Sequence, residues 1–171
     1  MHQEQKDFCL RVKKEFPEYF TGVSVIDFGS LDINGNNRYL FNDYTYTGVD
    51  IGEGRNVDVV SKAGDYKPKE KVDVVISTEM LEHDEQWISS LVNMLQVVRP
   101  GGLIILTCAT TGRPEHGTSR TSPGDAPFTN NYYCNRTEED LHRVWDMDVF
   151  ENYLIEVNEG SHDLYFWGIV K

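Results

Sequence analysis

Two acidic residues of this sequence stand near the ends of predicted strands, where a ligand can reach them. Asp27 lies in the run Val23–Gly29, and Asp50 follows about 20 residues later, near the end of Tyr46–Ile51. Gly29 allows a tight turn with no side chain to block a ligand. An acidic residue at that distance holds the ribose hydroxyls of an adenosine in doubly wound folds, because a carboxylate accepts two hydrogen bonds. The spacing predicts a nucleoside site; an ordinary turn and a polar strand end are the alternatives.

A second group of polar residues follows the strand predicted at 72–77. Glu79, Glu82 and His83 come directly after it, and His116 lies beyond the next predicted strand. Histidine takes up a proton near neutral pH, with an ordinary pKa of about 6.5, so His83 and His116 are candidate general bases. Glu79 is a third candidate. The alternatives are a capping or packing role for His83 at a helix start and a mobile surface loop around His116.

Residues 109–133 form a long segment rich in Gly, Pro, Thr, Ser and Asn, and loops of this length in small domains are usually functional or disordered. Arg113 and His116 in this loop are predicted to bind a hydroxyl or carboxylate of a substrate. Tyr132 and Tyr133 either wall the same pocket or anchor the loop. His116 and the run 82–84 carry metal-binding groups, but their spacing does not resemble a dedicated metal site, so none is expected.

These residues need a scaffold that brings strand ends together. Apolar runs rich in β-branched residues alternate with helical patterns, which predicts an α/β fold with a doubly wound, mostly parallel sheet. Such a sheet binds ligands beyond the carboxyl ends of its central strands. Turn residues between the last two runs predict an antiparallel C-terminal hairpin. The predicted strands are 23–28, 46–51, 57–60, 72–77, 103–107, 153–157 and 164–170.

The helix before the fifth strand has the clearest helical pattern. Asp84 is its predicted amino-terminal cap, and the turn Arg99–Gly102 follows it. One apolar stripe should face the sheet, formed by Trp87, Ile88, Leu91, Val92, Leu95 and Val98. The predicted helices are one that ends before Pro17, one over Glu85–Val98, and one that a capping box of Thr137 and Asp140 begins and that runs through Trp145.

Composition limits the classes of protein to consider. The 171 residues suit a single domain, 1–171, and the net charge is −12. Nucleic-acid surfaces need clustered cations, so nucleic acid is a disfavoured partner. No apolar run reaches the roughly 20 residues of a membrane helix, and the amino terminus does not resemble a secretory signal. The three cysteines are widely separated, which favours reduced thiols and a cytoplasmic protein.

Four segments in register carry a resemblance to a known family. They are VIDFGSLDING at 25–35, YTGVDIGEG at 46–54, VDVVISTEMLEH at 72–83 and VRPGGLIILT at 98–107. In order and spacing, residues 23–107 resemble class I S-adenosylmethionine-dependent methyltransferases, and above all small methyltransferase-domain proteins with a GSxDxNG first loop. The resemblance implies a Rossmann-like methyltransferase fold, S-adenosylmethionine as cofactor, and methyl transfer as the reaction.

The resemblance also assigns nine residues to the cofactor. Those after the first and fourth strands belong with its methionine part, and those after the second strand belong with its ribose and adenine. The first set is Asp27, Gly29, Ser30, Ser77 (through its backbone) and Glu79. The second set is Asp50, which should hold both ribose hydroxyls, with Ile51, Lys62 and Ala63 around the adenine.

The chain departs from the family pattern in two places. The third glycine of the first loop is missing from its usual register. Lys62 stands where the family often has an acid that accepts from the adenine amine, and lysine cannot accept a hydrogen bond. Asp65 or the backbone is left to make that contact. The G-x-G-x-x-G pattern of nicotinamide dehydrogenases is absent, which disfavours that class.

We therefore expect an enzyme that methylates an O or N atom of a small polar molecule and acts as a monomer or weak homodimer. The alternative is a non-catalytic S-adenosylmethionine-binding protein that serves as a partner or regulator. Turnover distinguishes the two.

Overall fold

One mixed seven-stranded sheet organises the part of the chain that the computed structural model describes, residues 3–171. Met1 and His2, which belong to the predicted domain, lie outside the described residues. The strands are β1 (Ser24–Phe28), β2 (Thr45–Asp50), β3 (Val59–Val60), β4 (Val72–Thr78), β5 (Val98–Ala109), β6 (Phe150–Asn158) and β7 (Asp163–Val170). The helices are α1 (Gln3–Glu15), α2 (Trp87–Val97) and α3 (Glu138–Val144), with short 3-10 turns at Pro17–Phe20, Asn37–Leu40 and Met147–Val149.

The strand order is β3-β2-β1-β4-β5-β7-β6. Strands β1 to β5 pair in parallel, and β7 pairs antiparallel with both β5 and β6. The order reverses direction at β1, which places a topological switch point between β1 and β4. The predicted doubly wound, mostly parallel sheet with an antiparallel C-terminal hairpin is confirmed, and the carboxyl ends of β1, β2 and β4 share one edge.

Both faces of the sheet are covered, as parallel strands with apolar runs require. Successive residues of a strand point to opposite faces. Ile26 and Phe28 therefore join the core under α2 and α3, while Val25 joins the core under α1. The capping box that opens α3 is present, with Thr137 and Asp140 each accepting from the other's backbone N–H.

Helix α2 differs from its prediction in its start and in its buried face. It begins at Trp87, and Asp84 accepts hydrogen bonds from the Gln86 N–H and the Ser90 hydroxyl without being the capping residue. Ile88 and Val92 of the predicted apolar stripe are exposed. The buried face instead includes Asn93, whose amide nitrogen donates to the carbonyl oxygens of Ala63 and Tyr66 at 2.7 and 2.8 Å. The other four residues of the predicted stripe do face the core, since Trp87, Leu91 and Val98 are buried and Leu95 packs against them. The prediction is therefore wrong only at its Ile88 and Val92 edge.

Strand β5 is longer than predicted because residues expected to form a turn continue the strand. The register between β4 and β5 shifts between Val72 and Val74, and Gly101 adopts a positive φ of 72° beside this irregularity. A bulge of this kind lets a strand bend without ending. Within residues 3–171, no helix is long and apolar enough to cross a membrane.

Candidate active site

A cleft of about 250 Å³ opens at the carboxyl ends of β1, β2 and β4. Eight of the nine residues predicted to bind a cofactor line it: Asp27, Gly29, Ser30, Asp50, Ile51, Lys62, Ala63 and Glu79. Ser77 does not. Its hydroxyl is buried and donates to the Phe28 carbonyl oxygen at 2.9 Å. Strand β4 runs one residue further than predicted, so its last residue, Thr78, lines the cleft instead.

Gly29 makes the tight turn that opens the cleft. Its φ is +80°, and a Cβ atom at this position would lie 2.5 Å from Cγ of Met80. Both the backbone conformation and the closeness of Met80 therefore require glycine here. The missing third glycine of the first loop does not prevent this turn.

Asp50 ties together the two loops that border the cleft. Its carboxylate accepts from the backbone N–H of Leu31 at 3.0 Å and of Gly52 at 3.1 Å, one bond to each oxygen. Burial raises the pKa of Asp50, and these amides oppose the rise. Each carboxylate oxygen has a second lone pair, so two hydroxyl groups of a ligand can donate to it.

Asp27 is the buried acid at the floor of the cleft. It accepts from the Tyr46 hydroxyl at 2.5 Å and from the Asn37 amide at 3.2 Å. Burial raises the pKa of Asp27 to about 7, while the hydrogen bonds from Tyr46 and Asn37 lower it. A carboxyl with this pKa gains from a cationic ligand, because a nearby positive charge favours its ionised form.

Several buried polar atoms of the cleft have no hydrogen-bond partner among residues 3–171. Buried donors and acceptors are normally paired, so such a group needs an explanation, and a bound ligand is one. Five residues that line the cleft carry such atoms. They are Gln5 (both amide atoms), Ser30 (Oγ), Asn37 (Oδ1), Glu79 (Oε2) and His83 (Nδ1).

Gln5 and Asn37 were missed by the sequence analysis. Gln5 lies on the same face of α1 as Phe8, Cys9 and Val12, all buried, so a polar residue within an apolar helical stripe was the available signal. The Asn37 amide also donates to the Thr78 hydroxyl at 3.0 Å and thus joins the first loop to β4.

The loop after β3 borders the end of the cleft at which the adenine is predicted to lie. Ala63 is buried and Lys62 exposed, and both line the cleft. Asp65, considered as a replacement acceptor for Lys62, is exposed and does not line it. The backbone is therefore the remaining candidate for the adenine amine.

The long loop 110–136 closes over this end of the cleft. Residues 125–130 line the cleft, and the Phe128 ring lies so close to Gly52 that a Cβ atom on Gly52 would be 2.1 Å from it. The two ends of the loop meet at the sheet, where the Arg136 N–H donates to the Ala109 carbonyl at 2.8 Å. The loop thus leaves the sheet at the end of β5 and returns to the same place.

Arg136 holds the loop in place from inside the protein. Its buried guanidinium donates to the Leu81 carbonyl at 3.1 Å and to the Tyr132 hydroxyl at 2.6 Å, and it lies 4.6 Å from the centre of the Trp87 ring. Tyr133 packs its ring against His83 and His116, with centroids 5.4 and 4.9 Å away. Neither tyrosine lines a cavity, so of the two predicted roles the structure favours anchoring.

A second cavity of about 330 Å³ adjoins the first. Glu79 and His83 line both cavities, while Arg113 and His116 line the second. Arg113 pairs with Asp163 at 3.1 Å. The structure therefore brings the two candidate bases together at the boundary between a predicted cofactor cleft and a space for another molecule.

Glu79 stands at that boundary in a constrained conformation. Its φ is +56°, an uncommon value for a residue with a side chain. Thr107 fixes it twice, since the Glu79 N–H donates to the Thr107 carbonyl and the Thr107 hydroxyl donates to Oε1, both at 2.8 Å. Burial, helped by the nearby charge of Asp163, raises the pKa of Glu79 to about 7.

His83 and His116 lie edge to face, with their Nε2 atoms 3.3 Å apart. Burial, with the neighbouring His116, lowers the pKa of His83 to about 4, which leaves its imidazole neutral at pH 7. The buried Glu82 carboxyl lies beside this pair, and burial raises its pKa well above the ordinary value. The sequence analysis noted metal-binding groups at these positions but expected no metal site, because their spacing does not resemble one.

Comparison with known proteins begins with the sequence. A family model described as a methyltransferase domain matches residues 1–156, which is most of the chain. No curated protein sequence matches it.

Solved structures share the fold at low identity. The 1,6-didemethyltoxoflavin-N1-methyltransferase of Burkholderia thailandensis, solved with 1,6-didemethyltoxoflavin and S-adenosylhomocysteine, has a TM-score of 0.67 and 14% identity, over 99% of this chain and 79% of that one. Phosphoethanolamine N-methyltransferase 2 of Haemonchus contortus, in complex with phosphomonomethylethanolamine and S-adenosylhomocysteine, has a TM-score of 0.65 and 16% identity. That match covers 96% of this chain and about half, 52%, of the Haemonchus chain.

The N-methyltransferase NodS of Bradyrhizobium japonicum, in complex with S-adenosylhomocysteine, gives a TM-score of 0.64 and 10% identity, over 96% of this chain and 86% of that one. These likenesses show that the fold is shared with known methyltransferases. The family model covers the four motifs in register and most of the remaining chain. The chain therefore belongs to the methyltransferase-domain family, as the resemblance of residues 23–107 to class I S-adenosylmethionine-dependent methyltransferases predicted.

Proposed function

We propose that this enzyme transfers a methyl group from S-adenosylmethionine to an O or N atom of a small polar molecule. The observation that carries the proposal is the group of unpartnered polar atoms in the cleft, which lie beside an acid at the ribose position. A ligand with an amino-acid end and a nucleoside end matches this pattern, since both its ends present hydrogen-bonding groups.

The cleft divides into two chemically distinct halves. Around Asp27, the unpartnered Asn37 Oδ1 and Glu79 Oε2 can accept from an ammonium group, and Gln5 Nε2 and Ser30 Oγ can donate to a carboxylate. Around Asp50, the exposed Ile51 and the Phe128 ring offer apolar surface to a flat base. The first half suits the methionine part and the second half the adenosine part.

The second cavity supplies the place for a methyl acceptor. Glu79 and His83 are among the residues that line both cavities, so an acceptor in the second cavity would meet the cofactor beside them. When bound, S-adenosylmethionine supplies an electrophilic methyl group on a sulfonium. The protein's part is to hold acceptor and methyl in line, which can lower the barrier by about 7–11 kcal/mol. His83 and His116, which both line the second cavity, are the residues that we propose promote loss of the acceptor proton.

The size and charge of the chain support a small acceptor. Two of the similar structures hold small molecules, 1,6-didemethyltoxoflavin and phosphomonomethylethanolamine, beside S-adenosylhomocysteine. A net charge of −12 is unfavourable for a phosphate backbone. Three free cysteines fit a reducing compartment such as the cytoplasm.

A thermal-shift titration with S-adenosylmethionine, S-adenosylhomocysteine and NAD tests the cofactor. A ligand at 100 times its Kd adds about 2.7 kcal/mol to the free energy of unfolding. We expect both adenosyl compounds to stabilise the wild type and Asp65→Ala, an exposed acid outside the cleft, but not Asp50→Ala. Stabilisation by NAD alone, or by no compound, would overturn the proposal.

Release of S-adenosylhomocysteine in the presence of candidate acceptors then separates an enzyme from a binding protein. Sugars, hydroxy acids and small amines represent the proposed O and N acceptors. Binding of the cofactor without turnover on any of these classes would favour the non-catalytic alternative.

A further inference from the structure

Three side chains with metal-ligating atoms converge beside the second cavity. One ligand atom from each of Glu82, His83 and His116 lies within 4.8 Å of the other two. The sequence did not predict this, because β5 separates His116 from the other two. Two imidazoles and one carboxylate are a ligand set that first-row transition metals favour.

The two imidazoles have the separation that a shared metal ion imposes. Their Nε2 atoms are 3.3 Å apart. With metal–nitrogen bonds of about 2.0–2.1 Å and tetrahedral angles, two ligand nitrogens lie about 3.3–3.4 Å from each other. His116 Nδ1 lies 3.1 Å from the Pro114 carbonyl oxygen, where only an N–H can make a hydrogen bond. The proton therefore sits on Nδ1, and the Nε2 lone pair of His116 faces His83, as metal-bound histidines require.

The surroundings of Glu82 support a metal site independently of the distance between the two imidazoles. Its side chain is fully buried, and neither carboxylate oxygen has a hydrogen-bond partner among residues 3–171. A buried carboxyl without partners is costly and calls for a compensating group. Glu82 lines neither cavity, so it approaches the cluster from the protein interior, whereas His83 and His116 face the second cavity. A cation between them would satisfy the carboxylate.

We propose that Glu82, His83 and His116 bind a divalent first-row transition-metal ion at the wall of the second cavity. Three protein ligands leave at least one coordination position open, which is the arrangement of catalytic metal sites. The open position faces the cavity that the two histidines line. Binding needs Glu82 to move towards the imidazoles, since the present spread of ligand atoms reaches 4.8 Å.

This site refines the proposed function, on which its catalytic part rests, by naming a hydroxyl-bearing acceptor. A metal ion lowers the pKa of a bound hydroxyl group or water by several units. The acceptor oxygen would bind at the open position and lose its proton to solvent. Its lone pair would then form the new C–O bond while the methyl–sulfur bond breaks and its electron pair returns to sulfur. His83 and His116 then serve as ligands and not as free bases.

A proton shared between the two imidazoles is the competing explanation. His83 Nε2–H would donate to His116 Nε2, and the observed distance of 3.3 Å permits such a bond. That arrangement needs no metal and leaves the Glu82 carboxyl without a partner. The two explanations differ in one measurable property, which is the binding of a metal ion by the protein alone.

The test is a titration of untagged, chelator-treated protein with Co²⁺, Zn²⁺ or Mg²⁺, followed by calorimetry and, for Co²⁺, by visible absorption. We expect one equivalent of Co²⁺ and of Zn²⁺ to bind, much more tightly than Mg²⁺, because imidazole ligands disfavour Mg²⁺. Glu82→Gln and His116→Asn should each weaken binding by roughly 100-fold or more. His142→Asn alters an exposed histidine 3.4 Å from Glu138 on α3 and should bind like the wild type.

Each result of this titration either supports or contradicts the proposed metal site. Wild-type protein that binds no Co²⁺ or Zn²⁺, or binding that survives both ligand substitutions, overturns it. Stabilisation of the variants by S-adenosylhomocysteine checks their fold. Cofactor binding without metal binding removes the metal site and leaves the methyltransferase proposal standing. Metal binding by a protein that binds no adenosyl compound keeps the site and removes its catalytic interpretation.

Discussion

The carboxylate of Asp50 accepts a hydrogen bond from the backbone N–H of Leu31 at 3.0 Å, which joins the end of β2 to the loop after β1. The residue assigned to the ribose thus also shapes the loop that receives the other end of the cofactor. A change at Asp50 should therefore alter both the free energy of unfolding and the affinity for the cofactor.

Asp50→Asn tests this double role. The asparagine keeps one oxygen for Leu31 but places an amide N–H₂ against the Gly52 N–H, which needs an acceptor. We expect affinity for S-adenosylhomocysteine to fall about 10- to 100-fold, since a hydrogen bond to a charged group is worth about 1.5–3 kcal/mol. Calorimetry measures the affinity and urea denaturation the stability. The matched variant Asp65→Asn should leave both unchanged; equal losses in the two variants would contradict the assignment.

Asp27 should make the free energy of unfolding fall as pH rises, whereas a carboxylate with a lowered pKa makes it rise. Its pKa of about 7 in the folded protein exceeds the usual 3.8, so the folded state binds more protons between pH 4 and 7. Its contribution to the free energy of unfolding is therefore fully present below pH 4 and is lost as pH rises through 7. Burial has the largest effect on this pKa and raises it; the hydrogen bonds from Tyr46 and Asn37 lower it, the charge of Asp50 raises it and that of Arg38 lowers it.

Comparing wild type with Asp27→Asn from pH 5.5 to 8 isolates this contribution. The wild type should lose up to about 1.4 kcal/mol per pH unit relative to the variant, as one proton per molecule requires. His83, with a pKa near 4, acts in the opposite sense but is present in both proteins. Parallel pH profiles of the free energy of unfolding would show that Asp27 does not titrate in this range.

Phe128 should contribute to cofactor binding through the apolar surface it places over Gly52. Its side chain is 58% exposed in this structure, so part of its area remains to be buried by a ligand. Phe128→Ala should weaken S-adenosylhomocysteine binding about fivefold, which corresponds to roughly 1 kcal/mol. Ile88→Ala on α2 removes a similarly exposed apolar side chain away from the cleft and should have no effect on affinity. Unchanged affinity in Phe128→Ala would mean that the loop does not cover the bound cofactor.

Arg136 should matter for stability more than its position in a loop suggests. Arg136→Met removes the bonds to the Leu81 carbonyl and the Tyr132 hydroxyl and the contact with the Trp87 ring. We expect a loss of about 2–4 kcal/mol in the free energy of unfolding, because a buried carbonyl is left unpaired. The exposed Arg143→Met on α3 is the control. A loss in Arg136→Met no larger than in that control would exclude an anchoring role.

Strand periodicity and turn glycines were sufficient to predict the sheet and the edge at which the cleft opens. Asp27, Gly29 and Asp50 line that cleft because the carboxyl ends of parallel strands share one edge. The resemblance to a known family, and not periodicity, supplied the other cofactor residues. Ser77 was assigned through its backbone, which stays a prediction, whereas the next residue, Thr78, is the one that lines the cleft.

Contacts between segments that are far apart along the chain could not be predicted from the sequence. Nothing in the spacing of His83 and His116 indicates that their rings touch, because the loop after β5 decides where His116 lies. One edge of helix α2 is a similar case. Asn93 is buried because it donates to carbonyl groups of the loop after β3, a distant contact that the apolar pattern of the helix does not indicate.

Loop 110–136 begins and ends at the same point of the sheet, so it can be exchanged, in evolution or by engineering, while the strands that carry the rest of the site stay the same. Its ends meet through the Arg136–Ala109 bond, so another loop of different length could replace it without moving a strand. The residues proposed to bind the cofactor come mainly from the strand ends, whereas His116 and Arg113 belong to the loop. A transplanted loop should therefore change the acceptor, and it would keep the affinity for the methyl donor only if it replaced the apolar surface that Phe128 places over Gly52.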